Sequence, residues 1–279
     1  MNNLLAGFTG YIEVSEGFNP RPDISHVLFD FDGTLSLIRQ GWPEVMLNMF
    51  LEMFPRNNSE PEEVIRNMLW DDMMRLNGKQ TIYQMIQFAE RVKEFGGIPK
   101  DPLWYKKEYL RRLEVRIHDR IAGLESGKIS PDSLLLYKAR QILEALFQRG
   151  MHLYLASGTD IIYVRREARL LDIEKYFDDK IYGAIDDYKK FSKQIVIQRI
   201  LSENKIDGTR LLAFGDGYVE IENTKAIGGL AVAVASDEAN NGSGKVDEWK
   251  LNRLKSVGAD IVIADYRDWD SLLKLIFTK

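Results

Sequence analysis

The sequence predicts an α/β protein whose parallel sheet is interrupted by a helical insert. From residue 129 onward, short apolar runs typical of strands alternate with amphipathic segments long enough for helices. This alternation implies crossover connections between parallel strands. Residues 39–128 instead carry Met, Leu, Phe and Trp at helical spacing and almost no β-branched runs. The chain therefore divides into a sheet-forming core and a helical insert.

Composition restricts the classes of function. The chain has 279 residues, a formal net charge of −4 with both signs intermixed, and no Cys. These values give no reason to expect a nucleic-acid partner, and they exclude disulfides, thiolate metal sites and a Cys nucleophile. No targeting segment and no apolar run of bilayer length is visible, so we expect a cytoplasmic protein with no membrane partner. We expect a monomer or a weak homo-oligomer.

The chain begins with an N-terminal extension and the first core strand. The extension, residues 1–23, is rich in Gly and Pro and contains a short strand or hairpin arm at Tyr11–Val14. The apolar run from His26 to Phe29 suits a strand that is buried on both faces of a parallel sheet. Residues 24–38 and 129–279 are therefore assigned to the core.

The insert, residues 39–128, is predicted to be a bundle of four helices. Pro43, Pro61 and Pro102 stand where the first turn of a helix tolerates proline, and Thr81–Gln84 fits a capping box. The helical period of the Met and aromatic residues favours the core of a small bundle. The predicted helices span Pro43–Phe54, Pro61–Leu76, Thr81–Phe95 and Pro102–Leu124.

The second part of the core continues the alternation of strands and helices. Strands are predicted at Met151–Ala156, Lys180–Gly183, Arg210–Phe214, Gly228–Ala235 and Asp260–Ala264. Helices are predicted at Pro131–Arg149, Asp160–Leu171, Ser192–Asn204, Val246–Val257 and Trp269–Phe277. This order predicts a mostly parallel sheet that is covered by helices.

A pair of carboxylates follows the first core strand. Asp30 and Asp32 are two residues apart, so in extended chain their side chains point to the same side. Gly33 permits a sharp turn, and Thr34 adds a hydroxyl beside the carboxylates. Two neighbouring carboxylates repel unless a cation or proton lies between them, and ligands bind at this end of parallel strands. The stretch predicts a functional site, with a hydrated Asp-rich turn as the alternative.

This stretch also resembles a known family. Asp30–Leu35, Asp-Phe-Asp-Gly-Thr-Leu, is similar to the first motif of the haloacid dehalogenase (HAD) superfamily of phosphotransferases. Leu155–Thr159 resembles the second motif, an apolar strand that ends in Ser or Thr. By this resemblance, the hydroxyl of Ser157 and the backbone N–H groups of Gly158 and its successor would hold a phosphoryl oxygen.

The fourth and third motifs of the family can also be recognised. Leu211–Glu220 resembles the fourth motif, with Gly-Asp-Gly around Asp216 and a second acid, Glu220, one helical turn later. The third motif is a lysine. Lys193 is preferred because it opens a helix, as in the phosphoserine-phosphatase branch. Lys190 is the alternative, although the prolines that follow this lysine in many relatives are missing here.

The resemblance implies a doubly wound, HAD-like Rossmannoid core with a C1-type helical cap inserted after the first motif. It also implies a phosphatase, a phosphoric monoester hydrolase, that acts on a small-molecule phosphate ester. Asp30 would attack phosphorus and form an aspartyl-phosphate, while Asp32 would act as general acid and base. Ser157, Gly158, Thr34 and the motif lysine would complete the cradle around the phosphoryl group.

The resemblance further implies Mg²⁺ as the cofactor. Asp30, the backbone carbonyl of Asp32, and Asp216 would coordinate it, since a hard cation prefers oxygen ligands. Glu220 stands where the family usually has Asp and would contact the metal directly or through a water. In this position Mg²⁺ would reduce the repulsion between carboxylate and phosphate.

Two other functions remain open. A sugar phosphomutase of the β-phosphoglucomutase type would share all of these residues, because it differs only in whether the closed cap admits water. A non-catalytic binding or regulatory protein is the alternative from another class, although it would not need the nucleophile. Asp32 argues against haloacid dehalogenase and phosphonate hydrolase activities, which do not use this second Asp.

Substrate specificity is expected to come from the cap, because the core motifs recognise only phosphate and metal. Leu76–Thr81 is similar to the turn that β-phosphoglucomutase-like enzymes lower onto the distal end of the substrate. Lys79 and Gln80 are therefore candidate leaving-group contacts, with Arg39 at the cap hinge as a third. These side chains favour a polar substrate such as a sugar phosphate; an ordinary solvent-facing turn is the alternative.

Overall fold

A computed structural model of the protein describes residues 7–56 and 60–278, and the structural statements below refer to these residues. One sheet of seven strands forms its centre, in the order β1-β7-β6-β5-β2-β3-β4. The strands are β1 (Ile12–Val14), β2 (His26–Phe29), β3 (His152–Asp160), β4 (Ile181–Ala184), β5 (Leu211–Gly215), β6 (Leu230–Val234) and β7 (Ile261–Ile263). Neighbouring strands are parallel except β1, which is antiparallel to β7.

Ten helices accompany the sheet in the described part of the chain. Five of them, α1–α5, come between β2 and β3, and the other five connect or follow the later strands. They are α1 (Trp42–Met53), α2 (Glu62–Arg75), α3 (Thr81–Glu94), α4 (Pro102–Glu125), α5 (Ala139–Gln148), α6 (Ile161–Leu170), α7 (Lys193–Asn204), α8 (Tyr218–Ala226), α9 (Glu248–Ser256) and α10 (Trp269–Phe277). None of these helices combines the length and the apolar character that crossing a bilayer would require.

The sheet is doubly wound, as the sequence predicted. Alternate strand residues face opposite layers: Val27 and Phe29 pack with α5, α6 and α10, whereas Leu28 packs with α7. From β2 the chain proceeds to β3 and β4 on one side, then returns to β5 on the other side and continues outward to β7. The strand order therefore reverses between β2 and β5, and ligands of such sheets bind beside the carboxyl ends at this point.

The predicted N-terminal extension partly belongs to the core sheet. Strand β1 lies within residues 1–23 and pairs with β7, with Ile12 opposite Ile263. The backbone N–H of Ser15 also donates to the Asp260 carbonyl at 2.8 Å. The short strand that had no predicted partner is thus an edge strand of the sheet. Residues 1–6 of the extension lie outside the described residues.

The predicted four-helix insert is present as α1–α4, and it shares a continuous apolar core with one face of the sheet. Phe50 of α1 and Phe88 of α3 stack with ring centroids 4.0 Å apart. The predicted capping box at Thr81 was wrong. Residue 80 is the N-cap of α3 and makes no side-chain capping bond, while the Gln84 amide instead donates to the Met73 carbonyl at 3.0 Å.

One predicted helix is interrupted in the structure. Pro131–Arg149 was predicted as a single helix, but a short 3₁₀ turn at Pro131–Leu134 is followed by extended backbone, and α5 begins only at Ala139. The backbone N–H of Leu136 donates to the Leu35 carbonyl at 2.9 Å, and Lys138 has a φ of 65°. The contact with the loop after β2 replaces helical hydrogen bonding, so tertiary pairing overrides the amphipathic pattern.

Candidate active site

Strands β2 and β5 bring the predicted acidic residues together. Phe29 lies opposite Phe214, and the backbone N–H of Asp30 donates to the Phe214 carbonyl at 2.9 Å. Each strand therefore delivers its following acid to the same edge of the sheet. Asp30, Asp216 and Glu220 are all buried, and one carboxylate oxygen of each lies within 4.8 Å of the others.

Lys193 lies between two of these carboxylates. Its Nζ is 2.8 Å from Asp30 Oδ1 and 2.7 Å from Glu220 Oε2, and its side chain is buried. The local sequence explains the position, because Ser192 is the N-cap of α7 and accepts a hydrogen bond from Ile195 N at 3.1 Å. Lys193 thus projects from the first turn of a helix whose start is well defined.

The structure does not bring Lys190, the alternative lysine, into the site. Lys190 lies in a short 3₁₀ turn before α7, and its side chain is 76% exposed. Its Nζ instead pairs with Asp187 at 3.0 Å. Of the two predicted lysines, only Lys193 lines the pocket that contains Asp30.

Burial dominates the electrostatics of this cluster. It raises the pKa of Asp30 well above its usual range; Lys193 opposes the shift, while Glu220 and Asp216 add to it. Burial likewise raises the pKa of Glu220 against the opposing charge of Lys193. Burial disfavours the ammonium form of Lys193, but Asp30 and Glu220 outweigh it and raise the Lys193 pKa. The lysine therefore stays charged, and the acids are short of positive charge.

Asp32 is held by hydroxyl groups from β3. Ser157 Oγ and Thr159 Oγ1 donate to Asp32 Oδ2 at 3.1 and 2.9 Å. The other oxygen, Oδ1, is buried and accepts no hydrogen bond from the described residues. Ser157 was predicted as a phosphate contact, whereas Thr159 was missed. The two residues are two positions apart on an extended strand, so their side chains share a face. The bonds from Ser157 and Thr159 therefore fix the orientation of the Asp32 carboxylate.

Arg39 is buried behind Asp32. Its guanidinium forms a bidentate pair with Glu167, with Nη2 2.7 Å from Glu167 Oε1 and Nε 3.1 Å from Oε2, and Nε lies 3.8 Å from Asp32 Oδ1. Burial disfavours its charge, but Glu167 and Asp32 outweigh this and raise the Arg39 pKa. Nη1 makes no hydrogen bond to the described residues, and Arg39 lines the pocket. One edge of the guanidinium is therefore available to a ligand.

Thr34 has a different position from the one predicted. It was expected to contact substrate, but it does not line the pocket. Its Oγ1 accepts a hydrogen bond from the backbone N–H of Asp216 at 2.9 Å and lies 3.4 Å from Asp216 Oδ1. Thr34 therefore joins the loop after β2 to the loop after β5 and orients Asp216.

A second buried lysine contacts Asp216, and no sequence pattern indicated it. Lys250 of α9 has its Nζ 2.9 Å from Asp216 Oδ2 and 2.7 Å from Glu238 Oε1. Burial disfavours the charge of Lys250, but Asp216 and Glu238 outweigh it and raise the Lys250 pKa. A lysine in an amphipathic helix is ordinarily exposed, so neither Lys250 nor its partner Glu238 could be selected from sequence.

The donor set fits a hard cation such as Mg²⁺. Asp30 Oδ2 accepts no hydrogen bond from the described residues, and Asp216 Oδ1 has only the distant Thr34 hydroxyl. Both oxygens of Glu220 are already engaged, one by the Gly217 N–H at 2.7 Å and one by Lys193. Buried carboxylate oxygens without enough counter-charge are the ligands that Mg²⁺ prefers. Asp30 and Asp216 would therefore hold the ion, with Glu220 supporting the loop.

The cap turn between α2 and α3 closes over the site. A Cβ atom on Gly158 would overlap the Lys79 carbonyl oxygen, and one on Gly217 would lie 3.0 Å from Gly78 Cα. The turn therefore sits directly against the residues that follow β3 and β5. Such close backbone approach requires glycine.

Lys79 and Gln80 of this turn have different surroundings. Lys79 lines the pocket, and its Nζ lies 6.0 Å from the centre of the Tyr83 ring. Gln80 is buried outside that pocket, and its amide donates to the carbonyls of Tyr188 and Phe191 at 2.8 and 2.7 Å. The structure thus brings Lys79 to the pocket, whereas Gln80 fastens the turn to the loop that precedes Lys193.

A pocket lies between cap and core and is lined by residues of both. Its floor carries the predicted core residues Asp30, Asp32, Ser157, Gly158 and Lys193. Its cap side is polar and aromatic and includes Arg39, Trp42, Asn77, Lys79, Gln84 and Tyr109. The arrangement suits a small anionic ligand that places its charge on the floor and a polar group against the cap.

Residues 24–228 match the family of haloacid dehalogenase-like hydrolases. The fold is similar to a predicted phosphoglycolate phosphatase from Haemophilus somnus, with 13% identity, a TM-score of 0.59, and coverage of 90% of this chain and 98% of that one. It is also similar to a HAD hydrolase of family IA, variant 3, from Entamoeba histolytica (18% identity, TM-score 0.60, coverage 91% and 99%). A predicted phosphatase from Clostridium acetobutylicum shows 15% identity, a TM-score of 0.56 and coverage of 90% and 97%. No curated protein matches the chain.

Proposed function

The chain belongs to the haloacid dehalogenase-like hydrolase family, and from this premise we propose that it is a phosphatase for a small phosphorylated metabolite. The observation that carries the proposal is the buried Asp30 carboxylate on the floor of the pocket, with Lys193 at 2.8 Å. A binding protein would not need a carboxylate kept partly uncompensated beside the phosphate position. The names of two structural neighbours, both predicted phosphatases, agree with this reading.

Asp30 is the nucleophile in this mechanism. Lys193 lies 2.8 Å from its Oδ1 and orients the carboxylate in the wall of the pocket, from which it attacks phosphorus. Attack forms an aspartyl-phosphate and releases the alcohol of the substrate. Asp30 and Asp216 would hold Mg²⁺, whose positive charge would reduce the repulsion between nucleophile and phosphate.

Asp32 moves the protons. It gives a proton to the leaving oxygen as the aspartyl-phosphate forms, and it later takes one from the water that cleaves this intermediate. Ser157 and Thr159 donate to its Oδ2 and so fix the orientation of the carboxylate. Arg39 beside Oδ1 stabilises the carboxylate form between the two steps.

Lys193 and the backbone of β3 at Gly158 stabilise the charge of the phosphoryl group. Lys193 has a third N–H beyond its two carboxylate partners, and the Gly158 backbone borders the same pocket. Preorganised donors of this kind act on charge that develops in the transition state. The polar cap side, with Lys79 and the free edge of Arg39, favours a hydroxylated or anionic leaving group such as a sugar.

The test is the release of inorganic phosphate from a panel of sugar phosphates, other metabolite phosphates and p-nitrophenyl phosphate, with and without Mg²⁺. We expect Mg²⁺-dependent release by the wild-type protein and none by Asp30→Asn. Because this change removes one member of a like-charge cluster, the variant should be as stable as the wild type or more so. Beryllium fluoride, a mimic of phosphate on Asp30, should stabilise the wild-type protein alone.

The panel also separates the alternatives. Isomerised sugar phosphate without free phosphate would indicate a phosphomutase, and binding without any turnover would indicate a regulatory protein. Appreciable Mg²⁺-dependent activity in Asp30→Asn would contradict the proposed mechanism.

A further inference from the structure

Lys250 is a buried cation beside the candidate metal site, and the proposed mechanism does not use this lysine. Its Nζ is 2.9 Å from Asp216 Oδ2, 2.7 Å from Glu238 Oε1 and 3.2 Å from Ser236 Oγ. An ammonium group has three donors, so these partners match its full capacity. Lys250 has no donor left for a ligand, and it does not line the pocket that contains Asp30.

Lys193 provides the contrast. It has two carboxylate partners among the described residues, a third donor to offer, and a place in the pocket wall. The two buried lysines therefore have different tasks. Lys193 can reach a ligand directly, whereas Lys250 can act only through the groups that it holds.

The groups around Lys250 connect the two acidic loops of the site. Ser236 Oγ donates to the carbonyl of Gly33, in the loop that carries Asp30 and Asp32. The backbone carbonyl of Glu238 accepts a hydrogen bond from Gln40 at the start of the cap, at 2.6 Å. Lys250, Ser236 and Glu238 thus form a hydrogen-bonded frame that holds Asp216 in place.

Charge indicates what this frame does. Five carboxylates surround the floor of the site against two ammonium groups, Lys193 and Lys250; the acids are Asp30, Asp32, Asp216, Glu220 and Glu238. Arg39 does not change this balance because Glu167 pairs with it. Lys250 takes one oxygen of Asp216 and leaves the other, Oδ1, without a strong partner.

We infer that Lys250 is a positioning residue and resident counter-ion of Asp216, which restricts Asp216 to one oxygen for a divalent cation and weakens the binding of that cation. The inference rests on the proposed function, because it concerns the same metal site. Repulsion between an ammonium and a dication falls only as the inverse of distance, so the charge of Lys250 acts on any ion bound at Asp216. The same charge keeps the acidic cluster assembled when no metal is bound.

The test is Mg²⁺ binding by the full chain without substrate, measured by calorimetry, together with the shift in melting temperature that Mg²⁺ produces. In Lys250→Met we expect a lower melting temperature without metal, a Kd for Mg²⁺ about tenfold lower than in the wild type, and a larger Mg²⁺-induced shift. Lys225→Met is the matched control, because Lys225 pairs with Asp260 at 2.7 Å away from the site. The control should bind Mg²⁺ like the wild type.

Lys250→Gln separates charge from position, since an amide can still donate to Asp216 or Glu238. It should also bind Mg²⁺ more tightly than the wild type, and folding of either variant only in the presence of Mg²⁺ would support the inference. An unchanged Kd in both variants, or failure of both to fold even with Mg²⁺, would overturn it. A wild-type protein that binds no Mg²⁺ would instead contradict the metal site of the proposed function itself.

Discussion

At the scale of single residues, the site depends on buried charges that hold one another in place. Lys193 is 3% exposed and lies between Asp30 and Glu220, so its charge is compensated on two sides. Removing the lysine is costly, because Asp30 and Glu220 would then be buried together without a counter-charge. The fold therefore positions Lys193 without the help of a bound ligand.

We predict that Lys193→Ala lowers kcat about 10²-fold or more, the scale of losing one preorganised charge-stabilising group. Lys190→Ala is the matched control, because Lys190 is three residues earlier and exposed. Its steady-state kinetics should stay close to those of the wild type. The reverse order of effects would assign the motif lysine to residue 190.

Lys79 offers a test of specificity at the same scale. It lines the cap side of the pocket and forms no ion pair with the described residues, so its ammonium can meet a polar leaving group. Lys79→Ala should raise KM for the best metabolite of the panel and leave p-nitrophenyl phosphate nearly unchanged. Lys93→Ala, on the exposed face of α3, serves as the control. Equal losses on both substrates, or none on either, would remove the turn from the site.

At the scale of elements, the site is completed by a contact between cap and core. The turn after α2 lies against Gly158 and Gly217, and Gln80 joins it to the loop that precedes α7. The cap helix α4 adds an ion pair between Lys106 and Asp160 at the end of β3. The position of the cap is therefore coupled to the position of the loops that carry the candidate site residues.

Gly158→Ala tests this contact. The added methyl group would overlap the Lys79 carbonyl, so the cap turn must withdraw while the core keeps its fold. Since small misplacements in an active site can cost about 10²-fold in rate, we expect kcat/KM to fall by about that factor. Circular dichroism should be unchanged. Gly17→Ala, which meets no neighbouring atom, is the control; wild-type activity in Gly158→Ala would show that catalysis does not need the turn there.

At the scale of the whole molecule, the two ends of the sheet carry different chemistry. The carboxyl ends of β2 and β5 bear the acids, whereas the opposite ends of β2 and β3 bear His26 and His152, whose ring centroids are 4.7 Å apart. His26 Nε2 is buried and has no hydrogen-bond partner among the described residues. Burial lowers the pKa of His26, and the nearby His152 adds to the shift.

This pair predicts a loss of stability in mild acid. The folded pKa of His26 lies below the unfolded value of about 6.5, so the unfolded chain binds more protons as pH falls through that range. The stability contributed by neutral His26 is fully present above pH ~6.5 and is lost as pH falls toward the folded pKa. His26→Phe, which keeps a ring, should lose less melting temperature between pH 8 and pH 5.5 than the wild type does. His118→Gln, at an exposed position of α4, should behave like the wild type.

Much of the fold could be predicted because its signals are local. Apolar runs and helical periods identified six of the seven strands as core strands and also identified the four-helix insert. This was possible because the burial of a strand or of a helix face requires a regular pattern of apolar residues close together in the sequence. Asp30 and Asp32 were selected as a pair of carboxylates after such a strand, and Asp216 was selected because Leu211–Glu220 resembles the fourth motif of the HAD superfamily. The ends of adjacent parallel strands must meet, so topology alone brings these acids together.

The tertiary structure decided what depends on contacts between distant segments. Contacts with groups far away in sequence determine four features: the partner of β1, the break before α5, and the positions of Thr34 and Gln80. Thr34 and Asp216, for example, are 182 residues apart. Lys193 lies in the pocket because it begins α7 beside Asp30, whereas Lys190 stays exposed in the preceding turn. Lys250 had no sequence signal at all. The spacing of a sequence determines which residues share an element, but only packing determines which charge each buried side chain meets.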